Sequence, residues 1–186
     1  MFALKEKGAL LALDSRSLSV ADILEISPWL VKPNEEEFSK YYGVEVKGFD
    51  DCVAQATELS LSGVENVMVS LGERGALLAA DGLYIATPPK VETLSTIGAG
   101  DSSIAGFIAA FVQGKDSENC LKTAVAYGTA ACLTEGTKPP KKEDVKTLIG
   151  KEKINSYSRN SVQMNRVPFL MQNDKKGAVN LLQPLF

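Results

Sequence analysis

The reading of this chain turns on Ser95 to Val112, Ser-Thr-Ile-Gly-Ala-Gly-Asp-Ser-Ser-Ile-Ala-Gly-Phe-Ile-Ala-Ala-Phe-Val. Ile104, Phe107, Ile108, Phe111 and Val112 recur at i, i+3, i+4, i+7 and i+8, the spacing of a core-facing helix. Just ahead of it, Gly98 and Gly100 let the backbone turn tightly, and a helix start gathers N–H groups at the positive end of its dipole. The amides of Gly98, Ala99 and Gly100 then form an anion hole suited to a phosphoryl group in transfer. Asp101 beside them is placed to accept a proton from an attacking hydroxyl. A plain helix start, with a glycine turn and Asp101 as its N-cap, accounts for the same spacing. Neither GxxxxGK[ST] nor GxGxxG is present.

Working outward, strand and helix signals alternate. Ala76–Ala80 and Leu83–Ala86 flank Asp81-Gly82, a strong hairpin signal. Asn66 to Leu71 reads as a buried strand ending at the turn Gly72-Glu-Arg-Gly75. A helix is predicted from Asp50 or Asp51 to Leu61, with Gly63 as its stop. Trp29-Leu30-Val31 is a short strand that stops at Lys32-Pro33, because proline cannot continue a ladder. Asn34 then caps a helix through Glu37 and Phe38. Ser19-Val-Ala-Asp22 has the form of a capping box, and Ala9 to Leu13 reads as a buried strand. Downstream, Leu121, Ala124, Val125 and Cys132 share a helix broken at Lys138-Pro-Pro140, and Glu143 to Ile149 forms a short last one. This order predicts an α/β fold with a largely parallel sheet covered by helices. After Gly150 the periodicity is lost. Residues 1–155 read as one unit and 156–186 as a tail of unknown structure.

Composition narrows the chemistry. With 186 residues, 45% of them hydrophobic and 23% charged, the chain has the makeup of a globular domain. A net charge of -3 and the lack of a basic cluster argue against nucleic acid as the main partner. There is no histidine, which excludes Ser-His-Asp and Cys-His nucleophiles and histidine metal sites. Cys52, Cys120 and Cys132 form no CxxC pair and read as reduced, buried thiols. The apolar run near the N-terminus is too short for a signal peptide or a membrane span, so the expected location is the cytoplasm.

Two further strand ends carry candidate ligands. Ser70, Gly72 and Gly75 lie where ligands of open α/β sheets bind, and could line a nucleotide; a plain turn explains them equally. Asn34 and Glu37 could orient Mg²⁺ through waters, since hard cations take oxygen ligands. A capped acidic first turn is the plain alternative.

In this order, KPNEEEF, SLGERGALLA and STIGAGDSSIAGFIAAF resemble the C-terminal half of the PfkB, or ribokinase-like, carbohydrate kinase family. The third segment is most similar to the branch acting on phosphorylated ketohexoses, which includes 1-phosphofructokinase and tagatose-6-phosphate kinase. The resemblance implies a three-layer α/β/α fold and ATP-dependent transfer of phosphate to a sugar-phosphate hydroxyl. Asp101 would be the base and Gly98, Ala99 and Gly100 the anion hole. Asn34, Ser70, Gly72, Gly75 and Gly100 would meet the nucleotide, Glu37 would join the magnesium–water network, and the adenine would pack near Ala124 to Ala131. It implies also that the family's sugar-binding part and lid are missing. The expectation is therefore the nucleotide-binding half of a kinase with little activity of its own; the alternative is a non-catalytic nucleotide-binding or interaction module. The strand Ala9–Leu13 is expected to leave an apolar edge that a homodimer could cover.

Overall fold

The computed structural model describes residues 2–158. Six strands form one sheet whose spatial order follows the chain: β1 (Ala12–Leu13), β2 (Leu30–Val31), β3 (Asn66–Ser70), β4 (Ala76–Ala79), β5 (Gly82–Thr87) and β6 (Lys153–Ser158). β1, β2 and β3 run parallel, whereas β3–β4, β4–β5 and β5–β6 are antiparallel. The sheet is thus mixed, against the expectation of a largely parallel one. The hairpin at Asp81-Gly82 reverses the chain, and β6 then returns antiparallel to the strand it joins.

Helices cover both faces. α2 (Val20–Ile26), α3 (Glu35–Tyr42) and α4 (Phe49–Leu61) pack Ile23, Phe38, Cys52, Ala56 and Leu59 against Val67, Val69 and Leu77. The next residues along the same strands, Met68 and Leu78, point to the other face. There they meet Phe107 and Ala110 of α5 (Ala99–Val112) and Leu121 and Ala124 of α6 (Ser117–Ala131). Strand side chains alternate between faces, so NVMVS and ALLA are apolar throughout because each serves two layers. Burying a side chain such as Phe107 contributes about 1.5–3 kcal/mol. The short helices α1 (Phe2–Lys5) and α7 (Lys142–Leu148) flank this three-layer body.

The Ser19–Asp22 capping box forms, and Asn34 caps its helix as expected, with Glu37 completing a second box that was not foreseen. Other expectations need correction. Ala9–Leu13 is not a buried strand; only Ala12–Leu13 pair, at the sheet edge, and Leu10 is 58% exposed. In α5 the buried residues are Gly106, Phe107 and Ala110, while Val112 is exposed. Ile104 and Ile108 of the predicted stripe pack, partly buried, beside Phe107, while small residues complete the face that α5 presses on α6. Phe111 lies at the rim, its ring centroid 4.3 Å from that of Trp29. α6 ends at Ala131, well before Lys138-Pro-Pro140, and Thr134 Oγ1 donates to Ala131 O. Cys52 and Cys120 are buried free thiols, but Cys132 is only half-buried. Lys153–Ser158 is a strand that periodicity did not signal, and it crosses the boundary drawn at residue 155. The rest of the predicted tail lies outside the described residues.

Candidate phosphate-binding site

The pairing registers bring the candidate residues to one end of the sheet. β1, β2 and β3 are parallel, so Asp14, Lys32 and Ser70 follow or end their strands at the same edge. The Asn34–Ser70 backbone bridge and Ser70 N–H donating to Pro33 O at 3.0 Å join two of the motifs directly. Ala76 pairs with both Ser70 and Ala86, so β5 also exits at this edge, into the loop leading to Gly98.

There the third motif closes on the others. Gly98, with φ +80°, is the N-cap of α5 and supplies no side-chain cap. Asp101 therefore does not cap the helix, which removes that plain reading of its position. Its side chain is exposed and makes no hydrogen bond or ion pair among the described residues. The N–H groups of Gly100 and Asp101 likewise find no acceptor there, whereas Ala99 N–H turns back onto Thr96 O at a long 3.3 Å. A helix N-terminus with unpaired amides attracts anions. A Cβ at Gly98 or Gly72 would meet nothing within 4 Å, so the backbone is open to a ligand at both places. Gly75 differs: its Cβ would fall 2.0 Å from Ala86 O, and its glycine answers to the sheet rather than to open space.

Asn34 Oδ1 accepts from Glu37 N–H at 2.8 Å, which leaves the amide donors of Asn34 without an acceptor among the described residues. Glu37 is occupied on both oxygens: Oε2 accepts from Asn34 N–H at 3.0 Å, and Oε1 lies 3.2 Å from Arg16 Nε. Direct coordination of a metal by this buried carboxylate does not fit. No cluster of three or more acidic or cysteine side chains able to hold a metal occurs among the described residues. Arg74 Nη2 lies 2.5 Å from Glu35 Oε2 and ties the Gly72 turn to the start of α3.

Sequence reasoning missed two contributors. Gly128 of α6 packs on Ser103 in the first turn of α5. Lys32, only 5% exposed, sets its ammonium against Gly100. A lysine inside an apolar strand end was the available signal for the second; a glycine within the apolar pattern of α6 was the signal for the first.

The chain belongs to the pfkB family of carbohydrate kinases, whose model matches residues 1–144. It is 35% identical over 126 residues to 1-phosphofructokinase of Vibrio cholerae, covering 67% of this chain and 40% of that one. The corresponding enzyme of Escherichia coli is 36% identical over 132 residues, covering 70% and 42%. Among solved structures, phosphofructokinase-2 of Escherichia coli in complex with substrates and products superposes with a TM-score of 0.73 and 30% identity. That match covers 80% of this chain and 49% of the other. Arabidopsis thaliana ribokinase complexed with ribose and ATP gives a TM-score of 0.69 and 26% identity, with 80% and 50% covered. The fold is ribokinase-like, and the chain spans two fifths to one half of the length of these relatives. No helix among the described residues is long and apolar enough to cross a membrane.

Proposed function

We propose that this chain carries the nucleotide side of ATP-dependent phosphoryl transfer to a hydroxyl of a phosphorylated ketohexose, the reaction type of 1-phosphofructokinase and tagatose-6-phosphate kinase. The observation that carries it is the convergence of open, unpaired amides at the start of α5 with a free carboxylate, Asp101, and with the strand ends bearing Asn34 and Ser70. The amides of the Gly98–Gly100 turn hold the transferring group, Ala99 exchanging its long bond to Thr96 for it. Asp101 takes the proton of the sugar hydroxyl as its oxygen bonds to phosphorus and the bond to the ADP oxygen breaks. The amide of Asn34 donates to a nucleotide phosphate, and Ser70 and Gly72 line the nucleotide, with Gly75 shaping their turn. Mg²⁺ arriving with ATP offsets phosphate charge; Glu37 meets it only through water.

In a second reading the same loops bind nucleotide without transferring phosphate. Calorimetry with MgATP tests the part common to both, using Gly100→Val as control. Binding lost in the control supports the site, and turnover with fructose 1-phosphate, fructose 6-phosphate or tagatose 6-phosphate then separates enzyme from module. Absence of binding by a folded chain would overturn both.

A further inference from the structure

Glu37 is a buried carboxylate whose charge is met from outside. Its side chain is 8% exposed, and Asn34 N–H donates to its Oε2 at the start of α3. The other oxygen, Oε1, lies 3.2 Å from Arg16 Nε, yet the Arg16 side chain is 85% exposed. A buried carboxylate is costly unless it is paired, whereas an exposed arginine holds an ion pair only weakly. Arg16 makes no other hydrogen bond or ion pair among the described residues. The neighbouring cations are committed elsewhere, Arg74 to Glu35 and Lys40 to Glu36. The loop backbone is fixed on either side of Arg16. The buried Tyr41 hydroxyl donates to Ser15 O, and Ser19 closes its capping box with Asp22. What is left free to change is the arginine side chain. The pair stands beside Asn34, at the strand end where Ser70 N–H donates to Pro33 O.

We propose that Arg16 is an internal counter-ion, a positioning residue that occupies Glu37 Oε1 in the nucleotide-free protein and gives it up to the hydrated divalent cation that accompanies ATP. This rests on the nucleotide reading above. It explains why the cation on a buried carboxylate comes from a solvent-facing loop rather than from the core: a partner that must leave has to be reachable by water. Bare nucleotide leaves the pair closed, so Arg16 makes the chain distinguish metal-loaded from metal-free ATP.

The Nε–H resonance of Arg16 in the full chain, assigned with Arg16→Gln, reports the pair directly. It should move toward the position of a free arginine on addition of MgATP and stay in place with ATP plus EDTA. Calorimetry gives a second readout. The ratio of MgATP to metal-free ATP affinity should rise roughly two- to fivefold in Arg16→Gln, the scale of one exposed ion pair. That rise should vanish in a Glu37→Gln background, where glutamine still closes the capping box. An Arg16 signal unmoved by MgATP, an equal shift with metal-free ATP, or an unchanged ratio would overturn the assignment and leave a static surface pair. A rise that persists in the Glu37→Gln background would overturn it too, because Arg16 would then act on the nucleotide itself. A folded wild type that binds neither form of ATP would instead overturn the nucleotide reading.

Discussion

Gly128 on α6 faces Ser103 on α5 so closely that a Cβ there would come within 2.3 Å of Ser103 Oγ. The same hydroxyl donates to Ala99 O at 2.9 Å, in the first turn of the helix. Glycine costs a helix interior about 1 kcal/mol relative to alanine, so Gly128→Ala would be stabilising if space were free. It is not. The expected outcome is a net loss of about 1–3 kcal/mol, read from urea unfolding. In a Ser103→Ala background the penalty of Gly128→Ala should shrink by at least half, a coupling that a double-mutant cycle measures; additive losses would disprove the contact.

Asp101 has no partner among the described residues to lose. Asp101→Asn should therefore leave the melting temperature within a few degrees and MgATP affinity near wild type. In a form of the protein that turns over sugar phosphate, it should lower kcat by about 10²–10⁴-fold. Unaltered kcat would remove Asp101 from the role of base.

The two glycines of the strand-end turn should part company. Gly72→Ala has open space around it and meets only the left-handed backbone at φ +60°, a cost of about 1–2 kcal/mol. Gly75→Ala meets the carbonyl oxygen of Ala86 at 2.0 Å as well as φ +94°, and should cost at least about 3 kcal/mol. Equal midpoints of denaturation for the two variants would refute this division.

Alkaline pH should weaken the fold. Burial pushes the thiols of Cys52 and Cys120 up to about 11 and the phenols of Tyr41 and Tyr84 up to about 12. The folded protein thus keeps these protons after the unfolded chain has released them. Stability is full below the unfolded-chain values, and falls as pH rises from about 9 through 12. Urea midpoints at pH 8 and pH 10.5 measure the loss. Replacing both cysteines by alanine should flatten the portion below pH 10.

What could be read from the sequence was what is decided locally. Helix caps are written in a few adjacent residues, so the Ser19–Asp22 box and the Asn34 cap were visible, as was the hairpin at Asp81-Gly82. NVMVS announced a strand because both its faces are buried. β6 gave no such sign: most of Lys153–Ser158 is exposed, and backbone pairing with β5 needs no apolar pattern. The glycine turn before Asp101 was legible as the start of a helix from residue type and order. The approach of Lys32 to Gly100, and of Gly128 to Ser103, joins residues far apart or on separate helices, and only the packed structure reveals it.

The strands lie side by side in the order in which they occur along the chain. β3, β4 and β5 can therefore find one another soon after they are made, across short turns whose closure entropy is small, whereas α2 lies between β1 and β2, and α3 and α4 lie between β2 and β3. β6 is the most distant partner, since α5, α6 and α7 intervene before it reaches β5. Nearby pairings of this kind favour rapid folding and a distant one delays it. Assembly is then expected to run in sequence, with a nascent sheet through β5 forming first and the helix that carries Asp101 docking afterwards. The end of the sheet where the start of α5 meets Lys32 would be among the last parts to mature.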